Sequence, residues 1–276
     1  MIARLAAIAG AELRIASRNR WIILATLVMV AFSLILTLAG SAPTGTLGVD
    51  RLTLAVSSLA TLSVYLVPLI ALALSYEAFA GERERGTMPL LLTYPVSRLE
   101  IIAGKFLAQF LTLAAAVVAG FGLTALALWL SGDTSPAGFG HLGRLTFGAL
   151  ALGATFIAIG FAISVAARAP AIAAGIAVAV WLVAVVLLDI ALLGALVADN
   201  GGVFTKTVFP LVMVASPTDA FRLLTLAPLD PEIVEAGIGG ASRRLGPSPD
   251  AALVSLLAWP VAALALAGLL FRRAEP

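Results

Sequence analysis

The sequence predicts an all-α integral membrane protein with six transmembrane helices, and three observations support this fold class. Hydrophobic residues make up 61% of the 276 residues and charged residues only 12%, whereas a soluble domain carries about 25% charged residues. The mean hydropathy is +1.09. Six apolar runs are each long enough to cross roughly 30 Å of hydrocarbon as a helix. The alternation of apolar and polar residues that is typical of the strands of a membrane barrel is absent.

The first predicted element is a short amphipathic helix over residues 1–20. At about 100° per residue, Arg4, Arg14 and Arg18 fall within roughly an 80° sector, and apolar residues cluster opposite them. Such a helix lies flat at the headgroup boundary. A basic topology signal without further function is the alternative. A cleaved signal peptide ending at "LAGSA", residues 38–42, is disfavoured because the apolar run before it is too long.

The six predicted spans belong to one transmembrane domain, which covers residues 21–276. They comprise residues 21–38, 54–74, 106–130, 145–166, 171–197 and 253–271. Lysine and arginine indicate their direction. Eleven of these residues lie in the N-terminus, residues 76–105, the turn 167–170 and the C-terminus, against six in the opposite segments. Both termini and residues 76–105 are therefore predicted to be cytoplasmic, and residues 198–250 to face outward.

The outer segment contains further features. Residues 207–216 are apolar but too short to span, so we expect a re-entrant or interfacial hairpin broken by Pro210 and Pro217. A helix then begins at Ser216 or Thr218, with Pro217 in its first turn. Asp189 is the single acidic residue within a predicted span. It follows the start of that span by about 27 Å, near the outer interface, and we expect it to be paired or interfacial.

Several kinds of chemistry are excluded. Cysteine is absent and there is one histidine, so no thiolate site or histidine relay is predicted. The glycines at positions 81 and 86 are spaced as in a phosphate-binding loop, but the required lysine is missing. No catalytic residue, metal site or cofactor is therefore predicted in this chain. Met29 is the single potential copper ligand in the predicted spans. We therefore expect the chain to transmit movement across the membrane rather than to conduct copper.

Residues 76–105, which we call the charged loop, hold eight of the 32 charged residues. The second span is predicted to continue as a helix through Arg85 and to end at Gly86. Ser97 is predicted to cap the next helix, with Glu100 completing a capping box. Between them lies an apolar stretch whose exposed side chains favour insertion into a soluble partner over a solvated hairpin. These side chains are Met88, Leu90, Leu91, Leu92 and Tyr94.

The charged loop resembles that of ABC-2-type permeases. The matching residues are Glu82, Gly86, Thr87, Pro95, Val96, Ser97, Arg98, Gly104 and Lys105. The resemblance implies a type V exporter-like architecture in the bacterial inner membrane and a homodimer. It also implies two copies of a separate cytoplasmic ATPase, which binds the ATP and Mg²⁺ and contacts the loop as a coupling helix. Carried over by position, the residues that form that interface are Glu82, Arg85, Gly86, Thr87, Met88 and Leu91.

Within the family, the whole chain is similar to membrane subunits that serve copper-site maturation of nitrous oxide reductase. That similarity implies a periplasmic β-helical partner, and Arg222, Arg243 and Arg244 are the expected contact surface. The resemblance leaves two functions open, which are mechanical transmission to the periplasmic partner and export of a sulfur species. Export of a drug, lipid or polysaccharide precursor is one alternative function, and a stand-alone ion-coupled carrier is another.

Overall fold

The computed structural model describes residues 10, 27–35, 51–93, 96–132, 134–199, 201–229 and 247–273. Every regular element within these ranges is helical, which confirms the all-α prediction. The predicted interfacial helix over residues 1–20 lies outside the described residues except for Gly10. So does most of the first predicted span, of which residues 27–35 form helix α1.

The remaining elements follow in chain order. They are α2 (Arg51–Ser75), α3 (Ala80–Glu84), α4 (Met88–Thr93), α5 (Arg98–Leu130), α6 (Pro136–Ala166), α7 (Pro170–Trp181), α8 (Leu188–Asp199), α9 (Phe209–Ala215), α10 (Pro217–Leu226) and α11 (Pro249–Arg273). A π-helical segment, Leu182–Leu187, joins α7 to α8, and another, Phe204–Val208, leads into α9.

Five stretches are long and apolar enough to cross a membrane. They are Arg51–Glu84, Arg98–Leu130, Pro136–Ala166, Pro170–Asp199 and Pro249–Arg272. They contain the second to sixth predicted spans. The count of candidates rises to six if the bent pair α9 and α10 is taken as one span. Some helices are longer than the hydrocarbon layer is thick: the 33 residues of α5 extend about 50 Å, against roughly 30 Å for the apolar layer.

Helix α6 is the centre of the bundle. It packs against α2, α5, α7, α10 and α11, and nearly all of its residues from Leu145 to Val165 are buried. Two glycines allow its neighbours to approach closely. A Cβ at Gly153 would lie 2.1 Å from a methyl of Leu113 on α5, and one at Gly160 would lie 1.9 Å from Ser75 Oγ on α2. In contrast, most of the surface of α7, α8 and α11 is exposed.

The segment that is predicted to face outward contains a sharp bend. The helical stretches Phe204–Ala215 and Pro217–Leu226 meet at 99°. Ser216 caps α10 by accepting a hydrogen bond from the Asp219 N–H, and Pro217 occupies the first turn, so the predicted break at Pro217 is confirmed. The predicted break at Pro210 is wrong. Pro210 is the second residue of α9 and comes directly after the π-helical segment Phe204–Val208, and the helical stretch continues through it to Ala215.

Candidate functional site

The charged loop begins with an interruption of the helix, where an unbroken helix was predicted. Helix α2 ends at Ser75, turns follow, and α3 begins at Ala80. The buried Ser164 Oγ of α6 accepts hydrogen bonds from the N–H groups of Phe79 and Ala80, at 2.9 and 3.0 Å. The serine thus satisfies N–H groups at the start of α3 that a helix cannot satisfy itself. Long-range capping explains the break.

An aromatic cluster fixes this break against two other helices. The Phe79 ring is fully buried. Its centroid lies 5.3 Å from that of Phe161 on α6, in an edge-on arrangement, and 4.9 Å from that of Phe271 on α11. Aromatic pairs at such separations stabilise a structure beyond their buried area. The charged loop is therefore anchored to the ends of both α6 and α11.

Two arginines of the charged loop satisfy carbonyl groups at the ends of these helices. Arg83 donates to the carbonyl oxygen of Ala167, at 2.5 Å, and more weakly to that of Val165, at 3.3 Å. Arg98 donates to the carbonyl oxygens of Phe271 and Arg272. The last carbonyls of a helix lack intrahelical partners, and cations there also complement the helix dipole. Each arginine thus joins the loop to one long helix.

The predicted helix stop at Gly86 is confirmed. Gly86 has φ of 68°, in the left-handed region that suits glycine. The Thr87 N–H donates to the Glu82 carbonyl at 2.9 Å and the Gly86 N–H to the Arg83 carbonyl at 3.1 Å. These two bonds form a Schellman motif. The capping box of Ser97 and Glu100 is also present at the start of α5, as predicted.

The Glu82 carboxylate links the two sides of the charged loop. One oxygen, Oε1, pairs with Lys105 Nζ at 3.2 Å, and the other accepts a hydrogen bond from the Thr87 hydroxyl. The Lys105 side chain is 4% exposed and that of Glu82 19%. Both oxygens of Glu82 therefore already have partners within the chain, and only a small part of the group faces outward.

The exposed surface of the charged loop differs from the predicted one in two respects. Arg85 and Gly86 are exposed and Leu90 is 63% exposed, but Met88 is only 3% exposed and belongs to the hydrophobic core. The predicted exposure of Met88 is therefore wrong, because α4 turns this side chain inward. The side chains of Leu91 and Leu92 lie outside the described residues, as does Tyr94. Glu84 and Pro89 add exposed surface that the sequence interpretation did not include.

A second polar cluster, which we call the charge triad, consists of Asp189, Asp219 and Arg222. Arg222 makes a bidentate contact with Asp189, with its Nη1 and Nη2 at 2.7 and 2.5 Å from the two carboxylate oxygens. Its Nη1 also donates to Asp219 Oδ1 at 2.8 Å. The exposed fractions of the side chains are 14% for Asp189, 8% for Arg222 and 0% for Asp219. The expected pairing of Asp189 is thereby confirmed.

The charge triad connects the bent segment to the preceding span. Asp219 and Arg222 belong to α10 and Asp189 to α8. Next to them, Thr218 Oγ1 donates to the Ala184 carbonyl oxygen at 3.2 Å. Ala184 lies in the π-helical segment Leu182–Leu187; such segments occur frequently at functional sites. The bend and the π-helical segment thus contact each other beside a buried ion-pair network.

Of the three arginines expected on the periplasmic surface, Arg222 is buried and bound to two carboxylates. Arg243 and Arg244 lie outside the described residues. The importance of Asp219 was missed, although its spacing of three from Arg222 on an apolar helix was a usable signal. Within the described ranges, no group of three or more His, Cys, Asp or Glu residues is arranged to hold a metal ion.

Comparisons with known proteins extend over almost the whole chain. The profile of the ABC-2 family transporter proteins matches residues 6–275. The chain is 38% identical over 268 residues to the "Probable ABC transporter permease protein NosY" of Pseudomonas aeruginosa, covering 96% of this chain and 97% of that protein. It is also 38% identical over 269 residues to a protein of the same description from Stutzerimonas stutzeri, with the same coverage. The similarity therefore extends well beyond the charged loop.

Proposed function

Because the chain belongs to the ABC-2 family of transporter proteins, we propose that this permease subunit transmits the movement of a separate cytoplasmic ATPase across the membrane. The observation that carries the proposal is the attachment of the charged loop to two long helices. Arg83 joins it to the end of α6 and Arg98 to the end of α11. A displacement of the loop therefore acts directly on both helices.

The ATPase docks on the exposed part of the charged loop. Leu90, at 63% exposed, supplies an apolar contact, and the charged side chains of Glu84 and Arg85 lie exposed nearby. An apolar centre with charges beside it suits a protein interface, in which burial stabilises the complex and charges select the partner. Two copies of a NosF-like ATPase bind the ATP and Mg²⁺, and this chain contributes neither a catalytic residue nor a cofactor site.

A single substitution tests the docking surface. Leu90→Ser removes an exposed apolar side chain, so it leaves the fold intact. Burial of a leucine contributes about 1.5–3 kcal/mol, and the variant is therefore expected to bind the ATPase roughly 10- to 100-fold more weakly. The measurement is the dissociation constant of the ATPase for the chain in lipid nanodiscs.

Leu130→Ser is the matched control, because Leu130 is 72% exposed and ends α5, at the opposite end of the bundle from the charged loop. It is expected to bind the ATPase with unchanged affinity. Wild-type affinity in Leu90→Ser would refute docking at this surface. Equal loss in both variants would show a general effect of serine substitution and would also count against it.

The proposed orientation follows the distribution of basic residues, with eleven on the side of the charged loop and six on the other. The termini and the loop then face the cytoplasm, and the bent pair α9 and α10 faces the periplasm, in a bacterial inner membrane. The chain acts as a homodimer. The apolar surface of α7 and α8 supports this assembly, because it is almost unoccupied by the rest of the chain.

The cellular role we propose is assembly of the copper centre of nitrous oxide reductase. The names of the relatives from Pseudomonas aeruginosa and Stutzerimonas stutzeri support this assignment. Movement of α6 and α11 reaches α10, which packs on both, and would reshape the periplasmic surface offered to a NosD-like β-helical protein. The alternative to this mechanical transmission, within the same cellular role, is export of a sulfur species through the dimer.

Replacing Arg243 and Arg244 by serine tests the periplasmic contact. We expect the β-helical partner to dissociate from the purified complex. In cells that carry this variant, we expect nitrous oxide reductase to contain less copper. Normal partner binding would place the contact elsewhere. Normal copper content in cells that lack this chain altogether would refute the cellular role.

A further inference from the structure

We propose that the charge triad is a proton-binding site and that the proton resides on Asp219 while α10 is packed against α8. The site contains two carboxylates and one guanidinium, so it carries a net charge of −1 when all three groups are ionised. All three are largely shielded from solvent. An uncompensated charge in an apolar environment is costly, and a buried carboxylate commonly avoids this cost by binding a proton.

The hydrogen bonds indicate which carboxylate takes the proton. Both oxygens of Asp189 accept from Arg222, which neutralises that group fully. Asp219 receives a single bond from Arg222, at Oδ1. Its Oδ2 is completely buried and makes no hydrogen bond among the described residues, and besides Arg222 and Asp189 the hydroxyl of Ser216 lies beside the carboxyl. A buried polar atom without a partner is rare and points to an occupant. A proton on Oδ2 removes the excess charge and leaves the bond at Oδ1 intact.

Besides Asp189, α8 carries Asp199 at its far end, and other charged and titratable groups lie on the further helices packed against α10, which are α2, α6, α9 and α11. These groups are Arg51, Tyr65, His141, Arg144, Asp250, Arg272 and Arg273, and Lys206 precedes α9. Tyr65, Arg144 and Asp250 are exposed, as is Arg272, which lies at the far end of α11. Arg222 provides the ion pair that the structure shows at Asp219. The charge balance of the buried site is therefore set mainly by the triad itself.

The location of the site couples the proton to movement. Asp189 lies ten residues from the end of α8, about 15 Å along the helix. Asp219 and Arg222 lie just after the 99° bend. Separation of α10 from α8 would break the bidentate contact and admit water to the site, and a hydrated Asp219 would release its proton. Proton binding therefore favours the docked position of the bent segment.

Infrared difference spectroscopy tests the proposal on the full-length chain in lipid nanodiscs, without the ATPase, so its result does not depend on the coupling function. Spectra at neutral and alkaline pH are compared for the wild type and for D219N, D189N and D250N. The wild type is expected to show the carbonyl band of a protonated carboxyl at neutral pH. D250N, which changes an exposed acid, should keep the band. D219N should lose it. D189N should lose most of it, because the triad is then neutral with Asp219 ionised.

Thermal unfolding provides a second readout. A carboxyl that is protonated in the folded state and ionised in the unfolded state stabilises the fold at low pH, and this contribution falls as the pH rises. We expect the Tm of the wild type and D250N to fall by several degrees between about pH 5 and pH 8. D219N is neutral at every pH and should hold its Tm over this range, at or above that of the wild type at pH 8.

Three outcomes would overturn the proposal. The first is a carbonyl band that survives in D219N, which would assign the proton to another group. The second is a Tm of D219N that lies below the wild type at every pH with the same pH dependence, which would show a permanently ionised Asp219. The third is a wild-type Tm that responds to Na⁺ at fixed pH but not to pH itself, which would make the occupant a metal cation.

Discussion

Ser164→Ala is expected to loosen the charged loop from the bundle, although the substitution removes only one buried oxygen atom. Ser164 Oγ accepts hydrogen bonds from two backbone N–H groups, those of Phe79 and Ala80, at 2.9 and 3.0 Å. Phe79, Ala80 and Ser164 are all buried. The alanine variant leaves both N–H groups without an acceptor, whereas the methyl group fits the space of the serine.

The magnitude follows from the penalty for a buried, unsatisfied donor, which is about 1–3 kcal/mol. Two donors give an expected loss of roughly 2–6 kcal/mol, with the lower value expected if the backbone shifts so that water hydrates the two N–H groups. At about 2–4 °C per kcal/mol for a chain of this size class, the Tm is expected to fall by roughly 4–24 °C. Hydrogen exchange at the amides of Phe79 and Ala80 should accelerate before that of α2.

Ser75→Ala is the matched control for this experiment. Ser75 is also fully buried and lies near the same break, but its hydroxyl donates to the carbonyl oxygen of Ala71 within its own helix, at 2.7 Å. That carbonyl keeps its backbone hydrogen bond when the hydroxyl is removed, so the loss should stay below about 1 kcal/mol. A Tm for Ser164→Ala equal to or above that of Ser75→Ala would refute the reasoning that Ser164 holds the loop.

Three further predictions concern the loop and the packing of α6. Gly86→Ala places a Cβ at φ of 68° and is expected to cost about 1 kcal/mol, seen as a small fall in Tm. Arg85→Glu reverses an exposed charge and should lower ATP turnover in the assembled complex with an unchanged Tm, whereas Glu82→Lys should lower both, because it places a second cation against Lys105. Wild-type turnover in both would remove these residues from the ATPase interface. Gly160→Ala brings a Cβ to 1.9 Å from Ser75 Oγ and is expected to cost about 1–3 kcal/mol; the double variant with Ser75→Gly should recover part of this loss, and absence of recovery would contradict the contact.

The features that the sequence predicted well are those encoded within a few residues. The capping box at Ser97 and Glu100 requires only a spacing of three and a β-region backbone at the cap. The stop at Gly86 requires one residue that tolerates a positive φ. Pro217 after Ser216 begins a helix for equally local reasons. The spans could also be predicted from local sequence, because in lipid each apolar helix must satisfy its own backbone hydrogen bonds.

Most of the features that were missed depend on residues distant in sequence. The helix break after Ser75 requires a cap from Ser164, 85 residues after Phe79, and no local pattern announces it. Met88 belongs to an apolar stretch that looks exposed in sequence, but the tertiary packing buries it in the core. Asp189 and Arg222 are 33 residues apart, on either side of a bend, so the sequence indicated that Asp189 needs a partner but not which one.

The two candidate sites share one rigid element. Ser164 of α6 holds the charged loop, and sixteen residues earlier Gly148 faces Phe221 and Thr225 of α10, with a Cβ there lying 3.1 Å from the Phe221 ring. These two points are about 24 Å apart along the helix. Because α6 is buried against neighbours along nearly this whole length, it resists local bending, since packed interiors transmit displacement rather than absorb it. In the proposed coupling, a force on the loop would reach α10 chiefly as a movement of α6 as a whole, and that movement would act on the contact of α10 with α8, where Arg222 binds Asp189.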